Sequence, residues 1–312
     1  MIKDNRRFYE EQVKPLIHEQ FGTYESRIAV GVAGEGSDCF GYDDEISRDH
    51  DFGTGVCLWL IDEDMVEFGD ELATAYDGLV EEKERVYYTD RLKERRGVMT
   101  VHGFYSNILR IDCNTKDCVM TDEQWLALDH SCLATAVNGE VFRDDLGQFT
   151  QFRSLLRKYY PDRVWRIRIA EKMHEYSSAL QVNYQRCMGR GDTVSAEICR
   201  IKGMTAAMEL YFLLKRAYMP YYKWAYRALT DLDKSGVFTA RIDELANLHS
   251  DKEPWEGTKY LPNRPNLKDR IVGVAEDIGY DISEMLKCAG LITRINPYLE
   301  ADVDTVLEKD KR

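Results

Sequence analysis

Gly34-Glu35-Gly36-Ser37-Asp38-Cys39-Phe40-Gly41-Tyr42-Asp43-Asp44-Glu45-Ile46-Ser47-Arg48-Asp49-His50-Asp51-Phe52-Gly53 is the stretch from which the rest of the chain is read. Just upstream, Arg27-Ile28-Ala29-Val30-Gly31-Val32-Ala33 is short, apolar and rich in small and β-branched residues, the composition of a buried strand. It stops at Gly34 and Gly36, which predicts a turn at the strand end. Small residues there let backbone N–H groups approach a phosphate oxygen, and the Ser37 hydroxyl adds a donor. Eleven residues separate Ser37 from Asp49-His50-Asp51, which opens a second predicted strand running to about Ile61 and interrupted near Gly53-Thr54-Gly55. Side chains at i and i+2 on a strand share a face, so Asp49 and Asp51 project together while His50 turns away. Two carboxylates aimed at one point repel unless a cation sits between them, and hard oxygen donors suit Mg²⁺. A phosphate-gripping turn beside paired magnesium carboxylates is what nucleotidyl transfer requires. One ion holds the triphosphate, and a second can lower the pKa of the attacking hydroxyl.

Working outward, Phe8, Val13, Ile17 and Phe21 recur at near-helical spacing, which predicts an amphipathic helix over residues 4–21 closed by Gly22. A further helix is predicted over 63–84, with a third strand at Val98–Val101 passing into another helix. One more helix is expected near 121–137, and Gly139-Glu140-Val141-Phe142-Arg143-Asp144 reads as a short edge strand. From about Gln148 long helical patterns dominate: 148–159, 162–188, 192–218, 221–230, 238–248, 268–288 and 297–309. Asp192 is a good N-cap and Pro220 is expected to end the helix that it opens. The reading is an α+β domain over residues 1–147, a small mixed sheet with flanking helices, followed by an all-helical domain over 148–312.

With 312 residues and a formal net charge of −13, the chain gains no general attraction to a phosphate backbone, so long nucleic acid is an unfavoured partner. No apolar run approaches the ~20 residues needed to span a bilayer, and the start of the sequence lacks the apolar region of a signal peptide. The 8 cysteines, at 39, 57, 113, 118, 132, 187, 199 and 288, form no CxxC pair and no zinc set, which fits reduced thiols and a cytoplasmic protein.

Gly36-Ser37, a spacer of eleven, and Asp49-His50-Asp51-Phe52 in an apolar strand resemble the signature of the DNA-polymerase-beta-type nucleotidyltransferase superfamily. More narrowly, the chain looks like a bacterial branch of that superfamily labelled as a domain of unknown function. Gly139–Asp144, Gln181-Val182-Asn183-Tyr184-Gln185-Arg186, Arg190-Gly191-Asp192 and Pro220-Tyr221-Tyr222-Lys223-Trp224 extend this resemblance over about residues 1–230. It implies Asp49 and Asp51 as catalytic metal ligands, holding Mg²⁺ as two ions with the nucleotide. It also implies a nucleotidyltransferase-type sheet and a helical bundle that closes the cleft. Many members carry a third carboxylate on the strand after Asp-x-Asp. Val98-Met99-Thr100-Val101-His102 carries none, and Glu140, Asp144 and Asp145 are the substitutes considered.

Arg48, beside Asp49, is a candidate triphosphate contact or the partner of the acidic loop at 43–45. Lys223 lies amid aromatic surface and must send its ammonium to solvent or to an anion, so it joins Gly36, Ser37 and Arg48 as a candidate nucleotide-binding residue. Tyr184, Arg186 and Arg190 form a similar candidate group. The expected activity is transfer of a nucleoside monophosphate from an NTP, with ATP favoured, to a hydroxyl or phosphate on a small-molecule or protein acceptor. A non-catalytic nucleotide-binding regulator of the same fold is the alternative, and a metal hydrolase built on Asp49-His50-Asp51 is weakened by the lack of another nearby histidine.

Overall fold

A computed structural model describes residues 2–46, 54–79, 95–262 and 264–308. Asp49, Asp51, Arg48 and His50 therefore lie outside the described residues. The chain divides into two units, Met1–Tyr159 and Tyr160–Arg312, each with its own packing.

In the first unit the strands β1 (Ala29–Val32), β2 (Cys57–Leu60), β3 (Gly97–Thr100) and β4 (Glu140–Arg143) form one sheet in the order β3-β2-β1-β4. β1 is antiparallel to β2 and β4, while β2 and β3 run parallel, so the sheet is mixed. β1 and β2 are buried on both faces, which explains why their sequences are apolar runs without alternation. β4 lies at the edge, as the Gly139–Asp144 reading expected, with a register shift against β1.

Helices α1 (Ile2–Phe8) and α2 (Lys14–Phe21), joined by a π-helical turn at Tyr9–Val13, pack Phe8, Val13, Ile17 and Phe21 onto Val30, Val32, Leu58 and Leu60. The turn of α3 (Ser37–Phe40) follows β1. After β2 come α4 (Asp62–Asp64), a π-helical segment Met65–Gly69, which adds Phe68 to the same core, and α5 (Asp70–Leu79), which adds Leu72 and Tyr76. α6 (Val101–Leu109) follows β3. The single helix expected near 121–137 is two, α7 (Asp122–Ala127) and α8 (His130–Val137). The break falls at Leu128, and Asp129 accepts the Ser131 backbone N–H at 2.8 Å to start the second. A competent capping carboxylate restarts the helix in a new direction. α9 (Gln148–Arg157) packs Phe149 against Trp59 with ring centroids 3.7 Å apart and belongs to the first unit.

The second unit is helical: α10 (Asp162–Tyr176), α11 (Tyr184–Gly189), α12 (Thr193–Leu214), α13 (Tyr222–Leu232), α14 (Val237–Asn247), α15 (Arg270–Cys288) and α16 (Val303–Glu308). A π-helical segment, Ser177–Asn183, links α10 to α11. Asp192 caps α12 by accepting from Ser195 N at 3.0 Å. Pro220 does not end that helix. It stops at Leu214, where Arg216 takes a left-handed φ of 50° and the Ala217 N–H reaches back to Phe212 O at 3.0 Å. This is a Schellman ending with arginine where glycine is usual, a cue absent from the local sequence.

Candidate functional site

Strand directions bring four chain segments to one end of the sheet. β1 finishes where β2 begins, because Gly31 pairs with Cys57, and β3 begins there too, because Cys57 pairs with Gly97. β4 starts at the same end, Glu140 opposite Val32. The turn after β1 is thus faced by the residues that precede the other three strands.

Asn138 and Arg95 hold the turn itself, and Asn5 and Tyr76 fix the segment that enters β2. Asn138 clamps the turn from both sides, its Oδ1 accepting the Gly34 N–H and its Nδ2 donating to the Gly34 carbonyl, both at 2.8 Å. Asn5 Oδ1 accepts from Gly55 N at 3.2 Å. The buried Tyr76 hydroxyl accepts from Val56 N at 2.8 Å and donates to Val56 O at 3.1 Å. Arg95 Nε donates to the Glu35 carbonyl at 3.0 Å, and its Nη2 donates to the same oxygen.

Gly36 has φ 132°, a conformation that a side chain resists, and a Cβ there would collide with the Arg95 guanidinium and the Asp38 carboxylate. Ser37 opens α3 and is half-buried. Asp38 turns inward to Arg96, whose Nη2 donates to Oδ2 at 2.8 Å, with side-chain exposures of 12% and 9%. Burial pushes the Asp38 carboxyl up, but Arg96 and then Arg95 outweigh it and hold it below its ordinary value. Burial pushes the Cys39 thiol up to about 12 and raises that of Cys57. These two are inert core thiols, and all eight cysteines are free.

Of the residues singled out from the sequence, Gly36 and Ser37 therefore form the turn. Asp38, Arg95, Arg96 and Asn138 were missed, since none carries a local motif. Among the described residues, no group of three or more His, Cys, Asp or Glu is placed to hold a metal ion. β3 carries no carboxylate. Glu140 is paired with Arg6 at 2.5 Å, Asp144 accepts the Thr150 N–H at 2.7 Å and Asp145 pairs with Arg143 at 2.5 Å, so each already serves the fold.

Lys223, in the second unit, is exposed at the start of α13, its Nζ 5.4 Å from the centroid of the Trp224 ring. Tyr184 is fully buried with its hydroxyl on Asp269 at 3.0 Å, a packing role, while Arg186 lies over the Tyr260 ring at 5.6 Å.

The fold is thus α+β, a small four-stranded mixed sheet with many helices, and no helix among the described residues is long and apolar enough to cross a membrane. The model of a family described as a domain of unknown function (DUF4037) matches residues 125–225, which include Gly139–Asp144, Gln181–Arg186 and Pro220–Trp224. No curated protein and no solved structure matches the chain.

Proposed function

We propose that the chain is a Mg²⁺-dependent nucleotidyltransferase of the DNA-polymerase-beta type, moving a nucleoside monophosphate from an NTP, ATP first among them, to a hydroxyl or phosphate on a small-molecule or protein acceptor. The observation that carries this reading is the Gly34–Ser37 turn. It is clamped at the sheet end where β2 begins, with two arginines against it and Asp49-His50-Asp51 a few residues ahead of Gly55. Asp49 and Asp51 are a hard-oxygen donor pair that suits Mg²⁺, which when bound neutralises charge on the triphosphate and the leaving pyrophosphate.

The chain's own residues have separable tasks. Gly36 keeps the turn free of a side chain, and Ser37 brings a hydroxyl to a phosphate oxygen. Arg95 brings a guanidinium to the same turn, a charge expected from the sequence chiefly of Arg48 in this half of the chain. Arg96 is committed to Asp38 and holds the base of the turn. Lys223, the nucleotide-binding candidate of the helical unit, is exposed and so open to an anionic partner.

Calorimetric titration with Mg²⁺-ATP tests the placement. Ser37→Ala removes one charge-assisted hydrogen bond and should weaken binding by about 1.5–3 kcal/mol. Unchanged affinity places the phosphates elsewhere. One observation favours a second reading, a nucleotide-binding regulator: β3 lacks a carboxylate, and the three substitutes considered have partners in the fold. Pyrophosphate release across a panel of NTPs and acceptors separates the two, since the regulator binds and releases none.

A further inference from the structure

An open cleft of about 490 Å³ in the helical unit lies between the start of α10, the C-terminal end of α12 and the chain just after α15, its lining including Asp162, Trp165, Arg166, Leu214, Lys215, Arg216 and Leu291. Three cations and one carboxylate line it, a surplus of two positive charges in a chain whose net charge is −13. Its volume falls within the range of small-molecule sites, roughly 300–1,000 Å³.

Arg216 is built into place. Its guanidinium lies over the Trp165 ring, 3.9 Å from the centroid, and an Nη is 3.3 Å from Asp162. The Trp165 indole N–H is itself fixed, donating to Leu213 O at 2.7 Å. Asp162 also pairs with Arg166 at 2.9 Å, so one carboxylate orients two guanidinium groups. Lys215 lies with its ammonium 5.4 Å from the Tyr211 ring centroid.

Cations at a helix C-terminus complement the helix dipole, which gives these side chains an ordinary structural role. That role does not call for arginine in a left-handed conformation. Glycine satisfies the Schellman ending without strain, whereas Arg216 holds φ 50° and places a preorganised fork in the cleft. Apolar walls at Leu214 and Leu291 would cover the uncharged body of a ligand whose charged end meets the arginines.

We infer that this cleft is a binding site for a small phosphate monoester, separate from the Gly36–Ser37 turn and independent of the function proposed for it. A phosphate monoester carries about −1.5 to −2 near neutral pH, which matches the surplus of two, and its oxygens accept the forked donors of arginine.

The test uses the full chain at low ionic strength, titrated with phenyl phosphate and with inorganic phosphate by calorimetry. Wild type should bind both, phenyl phosphate more tightly. Arg216→Gly removes the guanidinium yet suits the left-handed position, so its melting temperature should not fall, while affinity for phenyl phosphate should drop at least tenfold, that is by about 1.4 kcal/mol or more. Lys215→Met should weaken binding by a smaller factor. Absence of binding in wild type, or wild-type affinity in Arg216→Gly, would overturn the assignment.

Discussion

Arg96 and Asp38 meet at 2.8 Å with both side chains almost wholly buried, directly behind Ser37. A buried pair of this kind adds little net stability over an apolar pair, but removing one partner strands the other charge. Arg96→Met should therefore destabilise the protein by about 3–5 kcal/mol in urea unfolding. A loss below ~1 kcal/mol would mean that Asp38 finds water or another cation. The Asp38 carboxyl is held below its ordinary value, so its contribution is complete above the unfolded-state pKa and is lost as pH falls through the folded one. Asp38→Asn should accordingly flatten the acid limb of stability against pH. Gly36 lies against Asp38 and the neighbouring Arg95. Gly36→Ala must bear a left-handed backbone and crowd Arg95 and Asp38, a cost of about 1–3 kcal/mol, and should abolish nucleotide affinity before it abolishes folding.

Asp233 shows how a helix element is tied to its neighbour. It follows α13 and accepts from Ser235 Oγ at 2.6 Å, from Thr239 N at 2.9 Å and from Thr239 Oγ1 at 3.1 Å, tying α13 to the first turn of α14. Burial raises its pKa, but these donors, Ser235 first, bring it down to about 2. Its stabilisation is present above about pH 4 and lost as pH falls toward 2. Asp233→Asn should remove that part of the acid sensitivity, and an unchanged profile in thermal melts would assign it elsewhere. At this scale the sequence was most legible where one residue settles the matter locally: Asp192 as a cap, Gly34 as a strand end, Glu140–Arg143 as an edge strand. It was least legible where tertiary packing decides. Leu128 and Asp129 break a helix that periodicity would have carried through, and α12 ends at Leu214, well ahead of Pro220, with Arg216 left-handed and set against Trp165 and Asp162. Arg95 and Arg96 carry no local motif. Only the parallel pairing of β3 with β2 carries them to the turn after β1.

For the whole molecule, the chain divides into two units, and the residues singled out from the sequence fall in both, Gly36, Ser37 and the Asp49/Asp51 pair before Tyr160 and Lys223 after it. Lys223→Met keeps most of the apolar stem against Trp224, so it should lower turnover strongly while leaving the melting temperature within about a degree or two of wild type, as expected for an exposed position. Equal turnover would return Lys223 to a purely solvent-facing role. The turn was legible in the sequence because strand, glycine and serine are contiguous there; its arginine surroundings were not, because they come from the segment that enters β3, some sixty residues further along the chain. The most direct test of nucleotidyl transfer is Mg²⁺-dependent pyrophosphate release from NTP in the presence of an acceptor panel, compared between wild type, Asp49→Asn and Asp51→Asn. Release by wild type that is abolished in both variants, each still folded, is the predicted result. Release that persists in both variants, or none from wild type with any NTP and acceptor, would contradict it.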